Sequence, residues 1–247
     1  MAEFGKSTPN KNKEQISNDG PQLLEAALRA HQIGDITNAE TLYLNAINSG
    51  FHHEIVFSNL GVIYQNTGRK EKALAIYKRA IAKNPNFVDA YTNLGYLYKV
   101  LGNLDQALAI TLKSLELNPD DPNALMNLGG IHKDLGNLDQ ALTAYRQAAT
   151  LEPKKLEYAA SSRLFFSDLH QDNHAINIER EAYKYGIREL KQSASTLEKS
   201  NTSISTGMFW LAYHNRDDDK EILQSLEKFS ALYKKYLFQR ISMHTRA

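Results

Sequence analysis

The chain has no cysteine. That excludes disulfides, a thiolate nucleophile and a cysteine zinc site, and it fits a reducing compartment. Charge of one sign is also missing, since 29 Lys and Arg stand against 28 Asp and Glu, a formal net charge of +1. A nucleic-acid or membrane-surface protein is expected to carry a strong basic excess, so neither partner is favoured. No apolar run approaches the roughly 20 residues that cross a bilayer, and the N-terminus lacks the apolar core of a secretory signal. A soluble, cytoplasmic protein is the expectation. The 13 glycines are spread along the chain and form no phosphate-binding loop, and no nucleophile motif supports a Ser-His-Asp triad. Neither catalysis nor a cofactor is expected.

What is present is a repeat. Over Glu54 to Lys155, Leu60–Gly61, Leu94–Gly95 and Leu128–Gly129 recur at a spacing of 34 residues, as do Gly68, Gly102 and Gly136. Ala73, Ala107 and Ala141 align next, then Ala80, Ser114 and Ala148, then Pro85, Pro119 and Pro153. Self-similarity at this period signals stacked helix–turn–helix units. Within one copy Phe57, Leu60, Gly61 and Tyr64 fall at i, i+3, i+4 and i+7, one face of a first helix. Gly61 removes a side chain where the second helix approaches. Gly68 stands at the turn, where positive φ ends a helix. Ala73, Tyr77 and Ala80 are the apolar knobs of the second helix, which the closing proline stops.

These motifs resemble the tetratricopeptide repeat family. FSNLGVIYQNTGRKEKALAIYKRAIAKNP, YTNLGYLYKVLGNLDQALAITLKSLELNP and LMNLGGIHKDLGNLDQALTAYRQAATLEP each carry nearly the whole family pattern. Two departures stand out: Thr111 where Tyr77 and Tyr145 stand in the other copies, and His132 in place of Tyr64 and Tyr98. Both are expected to loosen contacts without ending the stack. The resemblance implies an all-α, right-handed solenoid of tandem helix–turn–helix repeats with C-terminal capping helices.

The flanks are read against this register. Residues 1–20 are polar, with almost nothing to bury, and are expected to form a disordered tail. The repeat array is placed at 21–155, as 21–53, 54–87, 88–121 and 122–155. The first copy is degenerate: Ala27, Gly34, Ala39, Tyr43 and Ala46 keep the register, but Phe51 stands where the closing proline belongs. A terminal repeat is expected to be atypical. Residues 156–191 are read as a worn fifth repeat of two capping helices, with Phe166 and Ala175 in register but Arg163 at the glycine position and His170 at the turn. Residues 192–206, QSASTLEKSNTSIST, read as a flexible Ser/Thr-rich linker. In 207–247, which holds the only tryptophan, Trp210, an amphipathic helix is expected to follow the acidic run RDDDK. Its stripe of Ile222, Leu226, Phe229, Tyr233 and Tyr236 needs a surface, which could be the end of the stack, a partner or a further domain.

Candidate sites are few. His170 and His174 at i, i+4, with Asp168 and Asp172, have a spacing that could hold a metal. A polar loop and helix start account for it more simply, and no metal is expected. The informative positions are those that packing leaves over. Asn59, Asn93 and Asn127 each precede a Leu-Gly pair. An asparagine amide offers donor and acceptor, so a row of them on the concave face can pair with the backbone of an extended peptide; the alternative is that Asn suits local helix packing. Tyr96, Lys99 and Lys133, from the same first helices, complete the candidate peptide-binding set.

Within the family, tandem asparagines at this place are similar to the ladder that binds acceptor peptide in O-linked N-acetylglucosamine transferases. The MFWLAYHNRDDDKEILQSLEKF segment is similar, more weakly, to the stretch after the repeats in bacterial proteins bearing such a transferase. The family's dicarboxylate clamp is not expected, because the neighbouring inner positions are Ser58, Thr92 and Met126, then Val62, Tyr96 and Gly130. The expected function is therefore a scaffold for a protein or peptide partner. The alternative is the acceptor-recognition part of a glycosyltransferase whose catalytic domain is absent from this chain, and a remoter one is a small hydrolase using the C-terminal histidines and aspartates.

Overall fold

The structure is a computed structural model and describes residues 11–164, 173–194, 196, 197, 222, 224, 225 and 228. Among them are ten α-helices and no strand. The chain falls into two compact units, the first ending at Asn118 and the second beginning at Pro119.

The first unit holds three helix pairs. They are α1 (Lys11–Gln32) with α2 (Ile36–Asn48), α3 (Glu54–Asn66) with α4 (Lys70–Lys83), and α5 (Val88–Val100) with α6 (Leu104–Leu117). The second unit holds α7 (Pro122–Asp134) with α8 (Leu138–Leu151), then α9 (Leu156–Arg163) and α10 (Asn173–Ser193). Within each unit, consecutive helices pack on one another.

Each full repeat turns in the same way. Gly34, Gly68, Gly102 and Gly136 have φ between 76° and 81°, a left-handed conformation that glycine adopts without a Cβ penalty. The amide after each glycine then reaches back over the last helical turn, as in Arg69 N to Tyr64 O at 2.8 Å and Asn137 N to His132 O at 2.8 Å. Orphan carbonyls at the helix end are thereby satisfied. Gly50 does the same for α2, with φ 86° and Phe51 N bonded to Ala46 O at 3.0 Å. The degenerate copy therefore ends its second helix with a glycine where the others use an extended residue before proline. The ring of Phe51 lies against buried Gly20, in the space a Cβ would need.

One N-terminal feature differs from the sequence reading. α1 begins at Lys11, so the second half of the stretch expected as a disordered tail is helical. Lys, Glu and Gln there are good helix formers, and Pro21 is accommodated inside the helix. Residues 1–10 lie outside the described residues.

The Tyr-to-Thr replacement in the third copy does not open the helix pair. Ala107, Thr111 and Ser114 are completely buried. Thr92 Oγ1 and Ser114 Oγ share a hydrogen bond of 2.7 Å across α5 and α6. Thr111 lies under Gly95, where Tyr77 lies under Gly61 in the preceding copy. Thr111 itself keeps a buried Oγ1 without a hydrogen-bond partner, so the third copy stays closed by a different packing from that of the tyrosine copies.

α2 is tied to the following repeat by an ion pair. Arg69, in the turn between α3 and α4, grips Glu40 with two bonds of 2.6 and 2.7 Å and lies 4.6 Å from the centroid of the Tyr64 ring. The hydrogen bonds from Arg69, opposed by burial, hold the Glu40 carboxyl below its ordinary 4.5. A depressed folded pKa gives stability that is present above the unfolded value and is lost as pH falls through the folded one. Glu40→Gln should therefore lower the melting temperature at pH 7, and the gap from the parent should close below pH 4.5. Melting curves from pH 7 to 3 check this; a gap that is constant with pH would remove the ion pair from the stability of this turn.

In the second unit the last helices depart from the repeat. α9 is only 8 residues long, against 13 for α3, α5 and α7. Tyr183, Ile187 and Leu190 of α10 pack with Leu156, Ala159, Ala160 and Leu164, and Ala194, Leu197 and Ile222 join the same buried cluster. Two helices follow the array, and the side chain of the register position Ala175 lies outside the described residues. Phe166, His170, Asp168 and Asp172 lie outside the described residues, as does the side chain of His174. The first part of the stretch read as a linker is packed, because Ala194 and Leu197 are 1% and 4% exposed. Of the C-terminal stripe, Ile222 is buried in this cluster. Leu226, Phe229, Tyr233, Tyr236, Trp210 and the acidic run lie outside the described residues.

Candidate functional site

The six peptide-binding candidates divide between the units. Asn59 is on α3, while Asn93, Tyr96 and Lys99 are on α5, all in the first unit; Asn127 and Lys133 are on α7, in the second. Helix periodicity explains the local layout. Leu60 and Leu94, one residue after each asparagine, are buried in the helix interface at 0% and 2% exposure. Each preceding asparagine is rotated by about 100° from its leucine and ends half-buried at the rim.

The amides have partners within the fold. Asn59 Nδ2 donates to Tyr43 Oη at 3.1 Å, tying α3 to α2. Asn93 Nδ2 donates to Ser58 Oγ at 3.2 Å, tying α5 to α3. Burial raises the Tyr43 pKa, and the Asn59 bond opposes that shift; the phenol thus stays protonated at neutral pH. One function of the row is therefore packing between successive repeats. Asn59 and Asn93 each spend a donor on it, and neither Oδ1 takes part in these two bonds. Asn127 and Lys133 are half-buried and also engaged within the fold, as is Lys99.

Around the first two asparagines the same helix faces carry apolar groups that packing leaves outside. Ile55, one turn before Asn59, is 38% exposed. Tyr96 and Val100, three and seven residues after Asn93, are 41% and 42% exposed. Val62, one turn after Asn59, is half-buried. The result is a surface of half-buried amides set between aliphatic and aromatic side chains. Tyr43 and Ser58 were not legible as partners of the amides, because a bond between residues 16 or 35 apart leaves no mark in the local spacing. Ile55 and Val100 could have been found by asking which apolar residues fall off the buried stripe.

Among the described residues no group of three or more His, Asp or Glu side chains converges in a way that could hold a metal. None of the described helices is long and apolar enough to cross a membrane.

Three family models, each described as tetratricopeptide repeat, match residues 55–87, 76–109 and 122–155. No curated protein matches the sequence. Solved structures do. A tetratricopeptide repeat protein from Parabacteroides merdae is 16% identical with a TM-score of 0.61, over 91% of this chain and 89% of its own. TTC0263, a thermophilic TPR protein of Thermus thermophilus, is 16% identical with a TM-score of 0.60, over 86% of this chain and 98% of its own. YrrB, described as a TPR protein with an unusual peptide-binding site, is 17% identical with a TM-score of 0.51, over 74% of this chain and 91% of its own. At such identities the likeness shows the fold alone. Nothing in these matches is specific to O-linked N-acetylglucosamine transferases. The matched residues hold helix pairs that turn at a left-handed glycine, close on a buried alanine and recur every 34 residues: the chain carries tetratricopeptide repeats.

Proposed function

We propose that this protein is an interaction module whose first unit binds an extended peptide segment of a protein partner along α3 and α5. The observation that carries the reading is the surface around Asn59 and Asn93. Each amide spends a donor on the neighbouring repeat, which fixes its orientation, and keeps Oδ1 outside that bond, flanked by exposed Ile55, Tyr96 and Val100. An oriented acceptor can receive a backbone N–H from a strand of any sequence. The aromatic and aliphatic neighbours take apolar side chains of the bound segment, and an extended chain offers one residue about every 3.3 Å to meet them. Asn127 holds the same repeat position in the second unit. The peptide-binding site named for the similarly folded YrrB lends support to a peptide as the ligand class.

The test separates binding from packing. Peptides selected from a display library on the parent chain are measured against Asn59→Ala/Asn93→Ala/Asn127→Ala and, separately, Tyr96→Ala. Helicity should persist, because alanine is the better helix former. Affinity should fall by about 0.5–1.5 kcal/mol for each neutral hydrogen bond lost, and also with Tyr96→Ala, whose ring is exposed and whose loss should leave melting unchanged. Selected peptides that bind both variants as well as the parent would move the site off α3 and α5.

A further inference from the structure

The second unit has a cleft that none of the repeat positions predicts. It has a volume of about 810 Å³ and lies between α8 and α10, with the end of α9 between them. Small side chains create it: Ala149 on one wall faces the side of α10 that carries Ala182 and Gly186. Gly186 has no room for a Cβ, which would meet the carbonyl of Arg163, so the floor is held by backbone contact. Leu138 and Leu142 add apolar surface along α8, and Tyr185 is 59% exposed at the α10 side.

Two arginines line this space, Arg146 from α8 and Arg163 at the end of α9. Neither guanidinium has an ion pair or a hydrogen bond among the described residues. Other arginines of the array are occupied, with Arg29 on Glu25, Arg69 on Glu40 and Arg79 over the ring of Phe57 at 5.2 Å. The aliphatic hydroxyls of the cleft cannot serve as donors in their place, because Thr150 Oγ1 donates to Arg146 O at 2.9 Å and Ser162 Oγ to Ala159 O at 3.0 Å. Beside the Tyr185 phenol, the unspent donors are cationic and planar, the kind that grips a carboxylate with two parallel bonds. Asp139 also lines the cleft, and the whole chain has a formal net charge of only +1. Both features disfavour a polyanion such as nucleic acid, whose repeated phosphates need a broad basic surface. An apolar trough with a cationic pair suits one or two carboxylates carried beside an aromatic or aliphatic group.

We infer that the cleft formed by Arg146, Arg163, Leu142 and Tyr185 is a docking site for an acidic-aromatic peptide segment of a protein partner. It goes beyond the reading of the first unit, since it uses α8, α9 and α10 and none of the asparagines. The partner's apolar side chain lies on Leu142 and Tyr185, and its Asp or Glu carboxylate pairs with the guanidinium groups.

The experiment uses the full chain and a fluorescein-labelled, end-blocked peptide of alternating glutamate and phenylalanine, read by fluorescence anisotropy. The same peptide with glutamine in place of glutamate is the neutral control. The acidic peptide should bind at least tenfold more tightly than the neutral one, and that preference should be lost in Arg146→Gln/Arg163→Gln and weaken with salt. Leu142→Ser should weaken both peptides. Asn59→Ala/Asn93→Ala should leave the preference intact, which keeps failure of this site distinct from failure of the first. Equal binding of the two peptides, or a preference that survives the double arginine substitution in a chain of unchanged circular dichroism, overturns the proposal. So does sedimentation showing a dimer of the parent chain that Arg146→Gln/Arg163→Gln dissociates, because the occupant would then be a second copy.

Discussion

Tyr77→Ala should lower the unfolding free energy by about 3–5 kcal/mol, the range for removing a large aromatic from a core. Tyr77 is completely buried, and its ring fills the space that Gly61 leaves on the facing helix. Gly61→Ala should also destabilise, by about 1–3 kcal/mol, because the added methyl overlaps the ring. That cost exceeds the roughly 1 kcal/mol by which alanine is the better helix former, so sterics decide the sign. The two changes made together should then be far less than additive. Once the ring is gone the methyl has room, and Gly61→Ala in the Tyr77→Ala background should stabilise. Urea denaturation of the four chains measures this coupling. Additive effects would mean that the glycine and the tyrosine do not share one contact, and the assigned register of the second repeat would fail.

Gly186→Ala should have an effect of similar size for a different reason. At Gly61 the obstacle is a side chain that can rotate at some cost; at Gly186 it is the carbonyl of Arg163, which belongs to the backbone of α9. A carbonyl at a helix end cannot yield without moving the helix, so α10 must lift from α9 and loosen the contacts of Tyr183, Ile187 and Leu190. The expected loss is at least the upper end of the 1–3 kcal/mol typical of overpacking. Hydrogen exchange should locate it, with amides of α9 and α10 losing protection and those of α3 to α6 keeping theirs. Gly136→Ala serves as contrast. A Cβ there meets nothing within 4 Å, so its cost comes from the positive φ alone, about 1–2 kcal/mol. If Gly136→Ala proves more damaging than Gly186→Ala, the close approach of α10 to α9 is not what holds this end of the unit.

The two kinds of glycine also show how far local reading reaches. Gly68, Gly102 and Gly136 were legible as turns because their role depends on one residue's φ, and the 34-residue spacing repeats it. Gly61 was legible because the alanines and tyrosine of the facing helix stand at fixed offsets within the same copy. Gly186 was not, since no period places it and its partner lies on a different helix outside the register. The same holds for the fifth repeat. The described core there includes Tyr183, Ile187 and Leu190, which follow the periodicity of α10 itself, and Leu197 beyond its end. Leu197 in particular was hidden by composition, because a run rich in Ser and Thr masked one apolar residue that docks.

By itself the sequence determined the helix pairs, their turns and the small residues at closest approach, because these follow from backbone φ, helical period and volume within some 34 residues of chain. It also named the asparagine row. Only the tertiary structure decided what those amides touch: Tyr43 and Ser58 occupy the donors, and Ile55, Tyr96 and Val100 stay outside the core beside them. It alone decided that Arg146 and Arg163 share a cleft. The reason is geometric. The spacing of residues along one helix is fixed by its 3.6-residue turn, but which residues of two helices meet depends on their offset and crossing. Those are set by the volume of every side chain between them and not by any single motif.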